Sequence, residues 1–124
     1  MTPNPVRWFE IYVQDMPRAL KFYETVFDTK LHQLPAGDLE MWAFPQAMGA
    51  AGAAGTLVKA PAGIVSGGNS TLVYFASGDC AVEAGRVAAA GGQLYRDKIS
   101  IGPYGFIALA CDPDGNMFGI HSTQ

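Results

Sequence analysis

An α+β fold made of two βαβββ modules is what this sequence predicts, and three observations carry that reading. Alternating apolar stretches at Phe9–Asp15 and Val73–Asp79 each run into an aspartate and then into a helix-forming segment. The second aspartate, Asp79, lies 64 residues after the first, Asp15. The same offset lays Gly119-Ile120-His121 over Gly55-Thr56-Leu57, where a strand-forming run closes each half. Identity between the halves is low, so the repeat rests on register and pattern.

In the first module, residues 6–60, Phe9, Ile11 and Val13 alternate with Trp8, Glu10 and Tyr12, the period of two of a strand with unlike faces. Asp15 supplies an N-cap, and Pro17 sits in the first turn, where its missing N–H costs little. Met16, Leu20, Tyr23 and Phe27 then recur on one helical face, with Arg18, Lys21 and Glu24 on the other. Three strands are expected next, at 30–34, 39–44 and 56–59, the first turned into the second by Pro35-Ala36-Gly37-Asp38.

The second module, residues 70–122, repeats the order. A strand at 70–76 precedes a helix from Asp79 to about Ala90, stopped by Gly91-Gly92 because a residue there must tolerate positive φ. Strands follow at 93–96, 106–111 and 117–122. The connection from Pro61 to Asn69 is rich in small residues and expected to be mobile. Neither half would bury a strong core alone, so the expectation is one domain over residues 1–124.

Composition narrows the partners. The chain is 49% hydrophobic and 15% charged with net charge −3, and its eight basic residues are scattered, which argues against nucleic-acid binding. No apolar run is long enough to span a bilayer and the first five residues do not form a signal peptide, so the expected location is cytoplasmic, with no membrane partner. Cys80 and Cys111 lack metal-type spacing and read as reduced structural thiols. Gly49–Gly55 lacks the Lys-Ser/Thr of a phosphate loop and reads as a flexible arm, a candidate lid. Asp112-Pro113-Asp114-Gly115-Asn116 has the wrong glycine position for a calcium loop and reads as a tight hairpin turn.

The paired modules, the run Phe9-Glu10-Ile11-Tyr12-Val13-Gln14-Asp15 with Arg18-Ala19 and Phe22-Tyr23, and the late Asp112-Pro113-Asp114-Gly115-Asn116 resemble the vicinal oxygen chelate superfamily. That group includes glyoxalase I, extradiol dioxygenases, fosfomycin-resistance enzymes and bleomycin-resistance proteins. The resemblance implies that each module curls into a half-barrel, that two half-barrels, from one chain or swapped between two, enclose a cavity, and that the chain forms a homodimer, for which the low charged fraction leaves apolar surface to cover. In metal-dependent members, His or Glu ligands come from the first and last strand of each module. The corresponding positions here are Trp8, Gly55, Leu72 and Gly119, none of which supplies a donor, so no metal and no cofactor is expected.

Strand alternation places Glu10 on the face of Trp8 and His121 on the face of Gly119. Glu10 and His121 are therefore the candidate general base and acid. The competing reading has Glu10 held by a tyrosine hydroxyl or by Lys59, with His121 partly solvated. Trp8, Tyr12, Leu57, Leu72, Tyr74 and Tyr104 are the candidate ligand-binding residues, and Phe106 belongs to the same aromatic set. Both faces of its strand are apolar, so the pattern assigns Trp42 and Phe44 to neither. The function favoured is metal-free binding of an aromatic or amphipathic small molecule. The alternatives are a glyoxalase-like lyase or isomerase, or a metal-independent enzyme moving protons through Glu10 and His121.

Overall fold

The computed structural model describes all 124 residues, Met1–Gln124, and holds the α+β class with curled βαβββ modules. The chain forms two compact units, Trp8–Thr71 in one and Met1–Arg7 with Leu72–Gln124 in the other. The first module comprises β1 (Val6–Val13), α1 (Met16–Val26), β2 (His32–Leu34), β3 (Met41–Ala43) and β4 (Ala54–Lys59). Its strands lie in the order β2-β3-β4-β1, with β4 parallel to β1 and antiparallel to β3.

The start of α1 follows its sequence signals: the Asp15 carboxylate accepts the Arg18 amide at 3.1 Å, and Pro17 occupies the first turn. Its end uses a device the pattern did not announce. Asp28 takes positive φ (47°) where glycine is usual, and the Thr29 amide reaches back to the Glu24 carbonyl at 3.1 Å. Met16 packs with Val13, Leu31 and Leu57 in a buried cluster joined by Ile11, Tyr23, Trp42 and Phe44. This resolves the ambiguous strand, because Trp42 and Phe44 lie on the face that α1 covers.

The second module contains β5 (Thr71–Ala76), α2 (Cys80–Ala84), β6 (Gln93–Ser100), β7 (Phe106–Cys111) and β8 (Met117–Ser122), ordered β5-β8-β7-β6 with β8 parallel to β5. Helix α2 stops at Ala84 instead of running to Ala90. Gly85 costs about 1 kcal/mol relative to Ala inside a helix, and the chain continues through turns in which Arg86 bonds Glu83 and Val87 bonds Ala84. Cys80 and Ala84 pack on Ala108 and Ile120 in the module's core, and the Ser122 hydroxyl accepts the Cys80 amide at 3.0 Å.

Strand β6 runs four residues beyond its expected end and pairs with β7 through two irregularities, between Leu94 and Arg96 and between Arg96 and Ile99. Bulges and charged side chains on an outer strand hinder further strand pairing. Strands β2 and β3 are shorter than expected, and β4 begins at Ala54, so the last two residues of the glycine-rich arm are strand.

The connection after β4 is hydrogen-bonded to the end of β1 and to Gln14 beyond it. The Ser66 hydroxyl donates to the Tyr12 carbonyl at 3.1 Å, Gln14 Nε2 to the Ile64 carbonyl at 3.2 Å, and the Tyr12 amide to the Ser70 carbonyl at 2.7 Å. In the β7–β8 turn, the Asp112 carboxylate accepts the Asp114 and Asn116 amides and the Asn116 side chain, each at 2.9 Å, and Gly115 takes φ 88°.

The parallel registers correct the repeat. Asp79 stands over Asp15 at an offset of 64, but Glu10 pairs with Thr56 while Tyr74 pairs with Gly119. The closing strands therefore correspond at 63, which places Gly119 over Thr56 and His121 over Val58. A one-residue slip turns every side chain to the other face. Leu57 thus lies under α1 in the core, away from the face of Glu10 and Tyr12 where the ligand residues were expected.

Each parallel pair also carries an aromatic ring on a glycine. The Phe9 ring lies on Gly55 on the helix-covered face, and the Tyr74 ring lies on Gly119 on the opposite one. A Cβ at Gly119 would fall inside the Tyr74 ring. Gly119→Ala should therefore cost about 1–3 kcal/mol by overpacking, and Tyr74→Ala in the same chain should remove most of the added penalty. A double-mutant cycle from urea unfolding checks this, and additive losses would show that Tyr74 and Gly119 are independent.

The Lys98 ammonium, 2.8 Å away, and the Ala81 amide hold the Asp79 carboxyl below its ordinary range, and Asn116 does the same for Asp112. A carboxyl with a depressed folded pKa binds fewer protons folded than unfolded. Its stabilisation is complete above the unfolded value, about 4, and is lost as pH falls through the folded value. Lys98→Met keeps a side chain over the Phe106 ring, where Nζ now sits 4.7 Å from the centroid. It should lower stability at neutral pH and flatten the loss between about pH 5 and pH 2, as read from chemical unfolding across that range.

Candidate functional site

The polar cluster of the first module stands on the sheet face turned away from α1. Alternation along β1 puts Trp8, Glu10 and Tyr12 there, opposite Ile11 and Val13. The Tyr12 hydroxyl donates to Glu10 Oε1 at 2.6 Å, and Trp8 Nε1 donates to Glu10 Oε2 at 3.2 Å. Of the two expected holders of Glu10, the tyrosine is the one found. The Lys59 ammonium instead bonds the Gln14 carbonyl. The Tyr12 and Trp8 donors hold the Glu10 carboxyl in place between the two rings.

Thr56 lies beside Glu10 in register on β4. It is fully buried, and its Oγ1 makes no hydrogen bond within the chain. An orphaned buried hydroxyl costs about 1–3 kcal/mol, which makes Thr56 the polar residue on this face least explained by folding alone. Sequence reasoning missed it because the 64-residue offset put Leu57 and Gly55 at the closing strand's inward positions. The signal that would have found it is the strand pairing itself.

On the second module's corresponding face, Leu72 and Tyr74 are buried and Gly119 lies beneath the Tyr74 ring. His121 is on the same face and partly buried. Its Nε2 is 2.6 Å from the Tyr104 carbonyl, which can only accept, and its Nδ1 is 3.4 Å from Arg7 Nη1, which can only donate. A neutral ring with its proton on Nε2 satisfies both contacts. Tyr104 itself lies in a short 3₁₀ turn, Gly102–Tyr104, with its side chain exposed, and it meets His121 through its backbone. Phe106 is on the helix-covered face against the α2 cluster.

The structure therefore gathers Trp8, Glu10, Tyr12 and Thr56 on one sheet face and Leu72, Tyr74 and His121 on another. Leu57 belongs to neither group. Two surface grooves are present, of about 360 Å³ and 420 Å³, and both run beside α1, away from Glu10.

With the observed register, the positions at which the resemblance would put metal ligands become Trp8, Thr56, Leu72 and Gly119. They offer an indole, a hydroxyl, an isobutyl group and a hydrogen. No three His, Cys, Asp or Glu side chains gather anywhere in the chain. This donor set does not fit a divalent cation, which requires several oxygen, nitrogen or sulfur ligands at fixed geometry.

Doubled βαβββ modules of this topology define a class of curled-sheet proteins, and the comparison with known families names it. A family model for the Glyoxalase/Bleomycin resistance protein/Dioxygenase superfamily matches residues 6–120, and the chain belongs to that superfamily. No curated protein matches it with significance. Among solved structures, a hypothetical protein from Bacillus halodurans C-125 superposes with TM-score 0.69 at 14% identity, covering 99% of this chain and 96% of the other. Methylmalonyl-CoA epimerase from Mycobacterium tuberculosis gives 0.66 at 16%, covering 100% and 93%. The Streptomyces coelicolor methylmalonyl-CoA epimerase, in complex with 2-nitronate-propionyl-CoA, gives 0.65 at 13%, covering 96% of each chain. At these identities the likeness shows the fold alone. No helix is long and apolar enough to cross a membrane.

Thr56→Val replaces the orphaned hydroxyl with a methyl of similar size. It should leave the chain folded and raise its stability by up to about 1 kcal/mol, because the desolvation cost disappears and no hydrogen bond is lost. Thermal unfolding of the ligand-free protein measures this. A marked loss would mean that the hydroxyl has a partner in solution.

Proposed function

We propose that this chain binds an aromatic or amphipathic small molecule without a divalent metal, using the helix-free face of the first module's strands. The observation that carries the reading is the substitution of Trp8, Thr56, Leu72 and Gly119 at the positions where metal-dependent relatives place their ligands. Trp8 and Tyr12 offer rings for stacking, Thr56 Oγ1 offers a buried donor or acceptor, and Glu10 offers a carboxyl group held between the two rings.

Binding is favoured over proton transfer because one of the two candidate groups, His121, is already engaged at both ring nitrogens. Glu10 accepts from two side chains, and both ring nitrogens of His121 have partners. A general base needs a lone pair within reach of the substrate proton, and His121 would have to give up Arg7 or Tyr104 to offer one.

Native mass spectrometry of protein purified without chelator should find well under one divalent ion per chain. Stoichiometric zinc, nickel, iron or manganese that raises thermal stability would overturn the metal-free reading. For a co-purified or screened ligand, Glu10→Gln should change affinity modestly, as followed by Trp8 fluorescence in a Trp42→Phe background. A loss of roughly 10²-fold or more in a measured turnover, with binding retained, would make Glu10 a general base and the protein an enzyme.

A further inference from the structure

Strand pairing in the first module sets four side chains in one row across the sheet. Glu10 on β1 is in register with Thr56 on β4, Thr56 with Ala43 on β3, and Ala43 with His32 on β2. Their neighbours along each strand, Ile11, Leu57, Trp42 and Leu31, pack with α1, so alternation turns the row itself to the helix-free face. No spacing in the sequence singles out His32, because its place in the row of Glu10 depends on three successive strand pairings.

The row is low in the middle and polar at both ends. Ala43 and Thr56 are short side chains, 3% and 0% exposed, whereas Glu10 is half-buried and His32 exposed. Thr56 Oγ1 is buried without a partner, and the His32 imidazole makes no hydrogen bond or ion pair within the chain. A carboxyl oxygen has two lone pairs, so Glu10 can accept from a ligand beside its bonds from Tyr12 and Trp8. Adjacent strands lie about 4.8 Å apart, and the three steps from His32 to Glu10 cover about 14 Å of sheet. Hydrogen bonds of about 2.8 Å at each end take up part of that span, and the remainder suits one ring substituted at opposite ends. The next row, Tyr12, Val58, Met41 and Leu34, supplies an apolar side wall.

We infer that the ligand site proposed above continues across the sheet to His32 and takes a flat ring with a hydrogen-bond donor at one end and a carboxylate at the other. The donor meets Glu10. The carboxylate meets His32, whose imidazole donates from at least one nitrogen whether neutral or protonated. The reverse orientation would set a carboxylate against the Glu10 carboxyl. Ala43 and Thr56 are closed to solvent, so the ring enters past the exposed His32 and displaces the side chains lying over them. The inference rests on the metal-free site and specifies what that site takes.

Amide NMR titrations with para-aminobenzoate, its ortho isomer and the one-ended compounds aniline and benzoate test it. The para isomer should shift the Trp8 indole together with the amides of Glu10, Thr56, Ala43 and His32. It should bind roughly 10-fold more tightly than the ortho isomer, whose groups are too close together to reach both ends. His32→Ala, at an exposed position, should leave thermal unfolding unchanged, weaken the para isomer about 10-fold and weaken aniline less than about 2-fold. His32→Gln keeps a donor and should recover part of the loss. Shifts at Trp8, Glu10 and Thr56 with an affinity unchanged by His32→Ala, or equal binding of the two isomers, would overturn the extension to His32 and leave the metal-free site standing. No shift from any of these compounds at millimolar concentration would overturn the ligand class, whereas the metal-free reading is decided separately by the metal content of the purified protein.

Discussion

Parallel pairing of the first strand with the last in each module decides which side chains share a face, and the rest of the structure depends on it. In the first module β1 and β4 align Glu10 with Thr56 and Ile11 with Leu57, which commits Ile11, Val13 and Leu57 to the core under α1. In the second, β5 and β8 align Tyr74 with Gly119 and Phe75 with Ile120, and Ile120 packs under α2. Backbone bonds fix the spacing, and an aromatic ring lying on a glycine marks the register in each pair. Phe9 over Gly55 and Tyr74 over Gly119 point to opposite faces, so the modules are similar in topology and unlike in their inner surfaces.

That difference shapes the candidate site. The first module's open face carries a hydrogen-bonded triplet, Trp8, Glu10 and Tyr12, beside a buried threonine hydroxyl with no partner in the chain. The second presents Leu72, Tyr74 and a histidine fastened at both nitrogens. Polar groups in such places are costly to bury and stabilise little beyond their own hydrogen bonds. A fold needs only that they be satisfied. Each Glu10 oxygen accepts one hydrogen bond, whereas the Thr56 hydroxyl has no partner in the chain, so Thr56 is the residue here that folding explains least.

Helix ends and turns were legible because their causes are local. Asp15 and Asp79 cap their helices through carboxylates that accept the amides of Arg18 and Ala81, and the Asp112–Asn116 turn closes on hydrogen bonds within five residues. The apolar and alanine content of residues 80–90 points to a longer helix than α2, whereas Gly85 sits where the helical bonding gives way. The hydrogen bonds that the connection after β4 makes have no local signal, because their partners Tyr12 and Gln14 lie some fifty positions earlier in the chain.

The sequence by itself determined the doubled βαβββ plan, the capped helix starts, and the alternation that groups Trp8 with Glu10 and Tyr12, since each depends on neighbours within a few residues or on a strict period of two. Tertiary structure alone decided the offset of 63 between the closing strands, the core placement of Leu57, Trp42 and Phe44, and the exposure of Tyr104. A single-residue shift between two distant strands leaves no mark in either strand's own pattern. It is settled by the backbone ladder and by which ring can lie on which glycine, both of which exist only once the strands have met.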